Sequence, residues 1–266
     1  MPWTIEEEQE AQAVYREMAL THFPGDVKLG LNLGFYRTFA VPSIARVLAG
    51  TGKLTKQPRV RAKATGELMY TLIEHGLDTG EGEAAVQKLI RLHSGLAVSN
   101  EDFVYVLAAF CITPVRWIDT HGWRRTNQTE KRATHTFYSL LSERMGITDV
   151  PDSFEEFTAW MDAFEVRTFR STAEGHSLVT ATRSLLSDRM PRLLSPLANG
   201  IFTCLLGERL RRTFELPRPR LLVRSAVSAA LWGRRLRMRR AHTRGLASPH
   251  PHGDPSEEPV GTGTAN

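Results

Sequence analysis

Helix-capping signals recur along this sequence from one end to the other. No stretch alternates apolar and polar residues for long enough to make a strand. Pro58 and Gly76 bound a helix over residues 58–75, since proline suits a first turn and glycine the position after a last one. Ser99 with Asp102 opens a helix through Ala109, which Pro114 interrupts because it has no backbone donor. Asn127 with Glu130 opens another that closes at Gly146, and Ser153 with Glu156 opens one that runs to about Arg170. The same reading gives helices over about 4–20, over Leu29 to Ala49 with a break near Pro42, and over 80–97, 174–187, 195–214 and 220–240. There is no internal repeat. The expectation is an all-α fold, one multi-helix domain over residues 1–240. The Pro-, Gly- and Ser-rich stretch 241–266 is read as a disordered tail, because it has too little apolar surface to bury.

With 266 residues and 41% hydrophobic content, the chain is long enough for a substantial core. Cys111 and Cys204 sit in apolar surroundings and read as buried reduced thiols. The acidic N-terminus lacks the pattern of a secretory signal, and no uninterrupted apolar run reaches the ~18 residues of a membrane span. A cytoplasmic location, membrane-peripheral at most, is expected.

The net charge of +5 is unevenly spread, with glutamates at the start and arginines at the end. In the last helix, Leu221, Leu222, Val227, Leu231 and Trp232 make an apolar side, and Arg224, Arg234, Arg235, Arg237, Arg239 and Arg240 a basic one. That pattern suits an interfacial helix on anionic lipid. A terminal helix docked on the core with a solvated arginine end is the plainer reading of the same pattern. Nucleic-acid binding is the weaker reading, because no recognition motif accompanies the charge.

Most catalytic motifs are absent. GTGKLT (residues 50–55) lacks the earlier glycine and the Ser or Thr after lysine that a P-loop requires. No H-E-x-x-H or G-x-S-x-G occurs, and His121 and His135 match no compact ligand set with His93. What remains is Arg61 with Thr65, four apart and so on one helical face, and a stripe of Val86, Leu89 and Ile90 that ends in His93. A guanidinium, a hydroxyl and an imidazole facing a helical interior can build a haem pocket. No acid lies between Asp26 and Glu67, while eight basic residues, Arg37 and Arg61 among them, do. That suits a cofactor with two propionates. The plainer alternatives are a hydrogen-bonded core histidine, a structural ion pair for Arg61, and a Thr65 hydroxyl bonded to a carbonyl of its own helix. No C-x-x-C-H is present, so any haem is held non-covalently.

The strings LGFYRTFAVPSIARVL, RVRAKAT, LIEHGLD, RLHSGLAVSNEDFVYVL, PVRWIDTHGWR, SERMGITDVP and SFEEFTAWMDAFE occur in that order between Asn32 and about Pro219. This run resembles the rubber-oxygenase catalytic-domain family, which includes latex-clearing proteins and ER-bound farnesyl-cleaving oxygenases, and is most similar to its small actinobacterial members. The resemblance implies an all-helical fold around one non-covalent haem b. It also implies dioxygen as co-substrate and oxidative cleavage of a C=C bond in a hydrophobic isoprenoid. His93 matches the axial iron ligand, and Arg61 and Thr65 match residues near the haem. Arg116, Trp117 and Trp123 fall in a family string without an assigned role. One departure stands out: latex-clearing proteins carry a glutamate upstream of R-x-x-x-T, and this chain has no acid from Val27 to Gly66. A non-catalytic haem-binding or scaffold protein is therefore the alternative to an oxygenase.

Overall fold

The structure, a computed structural model, describes residues 4–187 and 198–243. Among these residues there is no strand. The helices are α1 (Ile5–Glu17), α2 (Pro24–Thr38), α3 (Pro42–Gly50), α4 (Lys53–Lys56), α5 (Pro58–His75), α6 (Gly80–His93), α7 (Asn100–His121), α8 (Gln128–Met145), α9 (Phe154–Thr168), α10 (Ala173–Ser187), α11 (Ala198–Leu206), α12 (Glu208–Thr213) and α13 (Leu221–Thr243). A π-helical turn, Met18–His22, links α1 to α2. The all-α expectation holds.

Helix α7 is the central element and packs along α2. It continues through Pro114, contrary to the expected interruption. A proline inside a helix costs ~3 kcal/mol, and here Pro114 is buried in close packing against α2. A Cβ on Gly30 of α2 would lie 2.3 Å from Pro114 Cα, and one on Gly34 would lie 2.5 Å from the Ala109 carbonyl oxygen. Two glycines thus let α2 approach α7 at backbone distance, Gly30 at the proline and Gly34 one turn away. By length and composition α7 could cross a membrane, but 67% of its most apolar window is buried inside the bundle.

Other boundaries also differ from the sequence reading. Helix α2 begins with Pro24 in its first turn, ahead of the expected start at Leu29. Helix α6 stops at His93, well short of 97, because Ser94 is extended and Gly95 has φ +81°. Of the helix expected over 195–214, residues 195–197 lie outside the described residues and the rest is two helices, since Gly207 sits at φ +82°. The last helix reaches Thr243, and residues 244–266 of the expected tail lie outside the described residues. Cys111 is buried, whereas Cys204 is only half-buried; both are free thiols.

Two buried carboxylates tie the bundle together. Asp26 accepts from Trp117 Nε1 (2.9 Å) and from both terminal nitrogens of Arg234 (2.7 and 3.0 Å). Glu165 accepts from Arg37 Nε and Nη2 (2.7 Å each), Arg209 Nη1 (2.8 Å) and Tyr105 Oη (3.1 Å). The first of these fixes α13 on α2 and α7, so the basic helix is docked on the core.

Candidate functional site

The α5–α6 hairpin sets the site. Helix α5 ends at Gly76, whose φ of +81° turns the chain. The Thr79 hydroxyl then accepts from the Gly82 N–H at 3.0 Å and caps α6. A Cβ on Gly82 would come within 1.8 Å of the Gly76 carbonyl oxygen, so only glycine lets the two helices fold back this tightly. Arg61 and Thr65 on α5 then stand beside His93 at the end of α6, and all three line one cavity.

The cavity walls are otherwise almost wholly apolar. Phe35, Met69, Leu89, Phe103, Phe110 and Met145 contribute, with Thr38 and Tyr138 as further polar members. Its atom-free space, mouth included, is ≈ 1060 Å³, of which ≈ 140 Å³ can hold the centre of a water molecule. A ligand of cofactor size would thus use the mouth as well as the interior.

His93 Nδ1 lies 2.7 Å from the Leu89 carbonyl oxygen. A carbonyl only accepts, so Nδ1 carries the proton and Nε2 presents a lone pair. No hydrogen-bond partner for Nε2 occurs among the described residues. Burial holds the His93 pKa below 6.5, and the positive charge of Arg61 adds to that, against the Leu89 bond, which raises it. The imidazole is therefore neutral near pH 7. The edge of Phe103 packs against it, with centroids 5.8 Å apart.

Arg61 Nη1 donates to Thr65 Oγ1 at 2.8 Å, and Thr65 Oγ1 donates back to the Arg61 carbonyl at 3.0 Å. The local bond foreseen for Thr65 is thus present, and it steadies the guanidinium. No carboxylate pairs with Arg61 among the described residues, so the ion-pair alternative is not what holds it. Of the eight basic residues in the acid-free stretch, only Arg61 lines the cavity. Arg37 turns away to Glu165.

Among the described residues no Asp or Glu lines the cavity, and Glu74 is half-exposed beside His75 outside it. The Tyr138 hydroxyl is 3.3 Å from that of Tyr15, and burial raises its pKa well above 10.0, so it stays protonated. Tyr138 was not foreseen; nothing in the sequence ties α8 to this cavity.

The other singled-out residues lie elsewhere. Arg116 forms a two-point pair with Asp162, and Trp117 bonds Asp26. Trp123 Nε1 donates to the His22 carbonyl at 3.2 Å. These are packing roles. His135 Nε2 is held by the Pro151 carbonyl, and His121 lies against Trp117. No group of three or more His, Cys, Asp or Glu able to hold a metal occurs among the described residues. A macrocycle that brings its own metal needs one axial donor from the protein, and His93 could supply it. The donor set fits that: one neutral imidazole, one unpaired guanidinium for a carboxylate, and apolar walls.

The chain resembles known proteins in both sequence and fold. A family model described as ER-bound oxygenase mpaB/B'/rubber oxygenase, catalytic domain, matches residues 27–238. The ER-bound oxygenase mpaB' of Penicillium brevicompactum is 26% identical over 233 residues, which cover 80% of this chain and 55% of that protein. The ER-bound oxygenase mpaB of Penicillium roqueforti (strain FM164) is 25% identical over 224 residues, covering 77% of this chain and 75% of that one. The chain thus spans little more than half the length of the first of these relatives. The solved structure of latex clearing protein LCP in the closed state superposes with a TM-score of 0.65 at 16% identity, covering 94% of this chain and 71% of that one. At that identity the likeness shows a shared fold.

Proposed function

This chain belongs to the family of ER-bound mpaB/B' oxygenases and rubber oxygenases, matching its catalytic domain, and from that premise we propose that it is a haem b-dependent oxygenase. Its co-substrate would be dioxygen, and its substrate a hydrophobic isoprenoid cleaved oxidatively at a C=C bond. The observation that carries the reading is His93: a neutral imidazole with Nδ1 bonded to Leu89 and Nε2 without a partner among the described residues, in an apolar cavity beside Arg61.

His93 Nε2 would hold the iron, and Arg61 would pair with a propionate. Once bound, a haem supplies activation of dioxygen, which no protein side chain provides. The residues of the chain do the rest. The Leu89 carbonyl fixes the His93 tautomer and makes the ring a stronger donor. Thr65 restrains Arg61. The apolar walls accept a hydrocarbon chain and exclude water. No carboxylate lines the cavity among the described residues, and the groups there that can donate a hydrogen bond to a bound ligand are Arg61 and Tyr138.

That missing carboxylate favours a second reading, a haem-binding or scaffold protein without turnover. Oxygen uptake by the haem-supplemented protein with a short polyisoprenoid, followed by mass spectrometry, separates the two. Oxygen consumption with two carbonyl products supports the oxygenase. A haem-loaded, folded protein that consumes no oxygen with any unsaturated isoprenoid supports the second.

A further inference from the structure

Helix α13 carries a surface that the proposed chemistry does not use. Its inward line is Val223, Val227, Leu231, Arg234 and Met238, all half-buried. The Arg234–Asp26 pair pins that line to the bundle. The outward line is different: Leu221, Leu222 and Trp232 are 75%, 84% and 65% exposed. Leu221 and Trp232 are eleven residues apart, three full turns, so they share one face. Seven large apolar side chains among the described residues are exposed, and three of them sit on α13. Single exposed leucines are ordinary, but clustering on one helix is not.

The charge of this segment has one sign. Between Leu216 and Thr243 there are eight arginines and no acid. Beyond Trp232 the helix borders a notch lined by Trp123, Arg124, Arg235 and Arg239. The indole of Trp123 stacks on His242 at 4.0 Å. Glu130 takes Arg124, accepting at 2.6 and 2.7 Å. Arg235 Nε is buried and has no hydrogen-bond partner among the described residues.

We propose that this face of α13 docks on a bilayer of anionic phospholipid. Leu221, Leu222 and Trp232 enter the boundary between headgroups and acyl chains, and a headgroup phosphate is accepted in the notch by Arg235 and Arg239. Guanidinium forks match phosphate oxygens, and indole is at home at a membrane boundary. A second copy of the chain is a poorer occupant, because a two-fold contact through this face sets arginines against arginines. Nucleic acid would satisfy the arginines but leave the leucines in water. The proposal does not depend on haem binding.

Co-sedimentation of the full chain with vesicles tests it. One vesicle set is phosphatidylcholine alone, and the other is equal parts phosphatidylcholine and phosphatidylserine. The wild type should pellet with the second set only, and high salt should release it. The variant Leu222→Ser/Trp232→Ala should bind at least ~10-fold more weakly, given the apolar area it removes. Arg235→Gln/Arg239→Gln should lose roughly 5-fold per arginine. Circular dichroism checks that each variant is folded. Equal binding to neutral vesicles, no binding to either, or no effect of Leu222→Ser/Trp232→Ala overturns the proposal. So does preferential pelleting with duplex DNA, or a wild-type dimer that this variant dissociates in sedimentation velocity without vesicle binding.

Discussion

Replacing Glu165 with Gln should destabilise the bundle far more than a one-atom change suggests. The Glu165 side chain is fully buried and accepts four hydrogen bonds, two from Arg37, one from Arg209 and one from Tyr105. Arg37 is only 17% exposed, whereas Arg209 is 42% exposed and reaches Asp162 at 3.9 Å. Glutamine keeps one acceptor oxygen but turns an N–H₂ toward a guanidinium that water barely reaches. Removing one partner of a buried pair costs about 3–5 kcal/mol. Water and Asp162 compensate Arg209 but not Arg37, so the lower end, about 3 kcal/mol, is expected. For a chain of this size that lowers Tm by roughly 6–12 °C. Pairing Glu165→Gln with Arg37→Met should recover most of the loss, because the stranded charge is gone. Urea and thermal unfolding of the two single variants and the double variant measure this as a cycle. A loss below about 1 kcal/mol for Glu165→Gln, or additive losses in the double variant, would refute the reasoning.

Other outcomes follow from the site and its frame. His93 should titrate below 6.5 in the haem-free protein, because burial and Arg61 both disfavour its charge. Its folded-state pKa is depressed, so the stability it contributes is present above the unfolded value of about 6.5 and is lost as pH falls through the folded value. NMR titration of Arg61→Gln should move the His93 pKa part of the way up, and no movement would remove Arg61 from its surroundings. Gly82→Ala should cost more than 1–3 kcal/mol, the usual range for overpacking, because the new methyl meets the Gly76 carbonyl at 1.8 Å. Thermal unfolding measures that, and a loss within ~1 kcal/mol would show that the α5–α6 turn can shift cheaply.

The sequence showed some parts of this molecule clearly, and the reasons are physical. Helix ends governed by local contacts were legible: α5 starts at Pro58 and stops before Gly76, and Asn127 with Glu130 forms the reciprocal cap of α8. A proline carries less information alone: Pro114 does not interrupt α7, and Pro24 opens α2 ahead of the expected Leu29. Whether a proline starts, ends or merely occupies a helix depends on what packs against it, and at Pro114 that is Gly30.

The site divides in the same way. Arg61 and Thr65 share a face by spacing, but periodicity says only that they point together, not at what. Resemblance, not spacing, linked them with His93. Tyr138, Phe103, Thr38 and Met145 come from three other helices and carry no signal that joins them to R-x-x-x-T. Arg37 illustrates the converse. It lies in the same basic, acid-free stretch as Arg61, yet α2 turns it toward a carboxylate 128 residues away in sequence.

The central claim is that His93 is an iron ligand, and an absorbance spectrum tests it most directly. The purified full chain, supplemented with haem, is compared with His93→Ala prepared the same way. The account predicts a Soret band with ligand-sensitive visible bands in the wild type, lost or shifted in the variant. A folded wild type that takes up no haem, or a variant whose spectrum matches it band for band, would contradict the account.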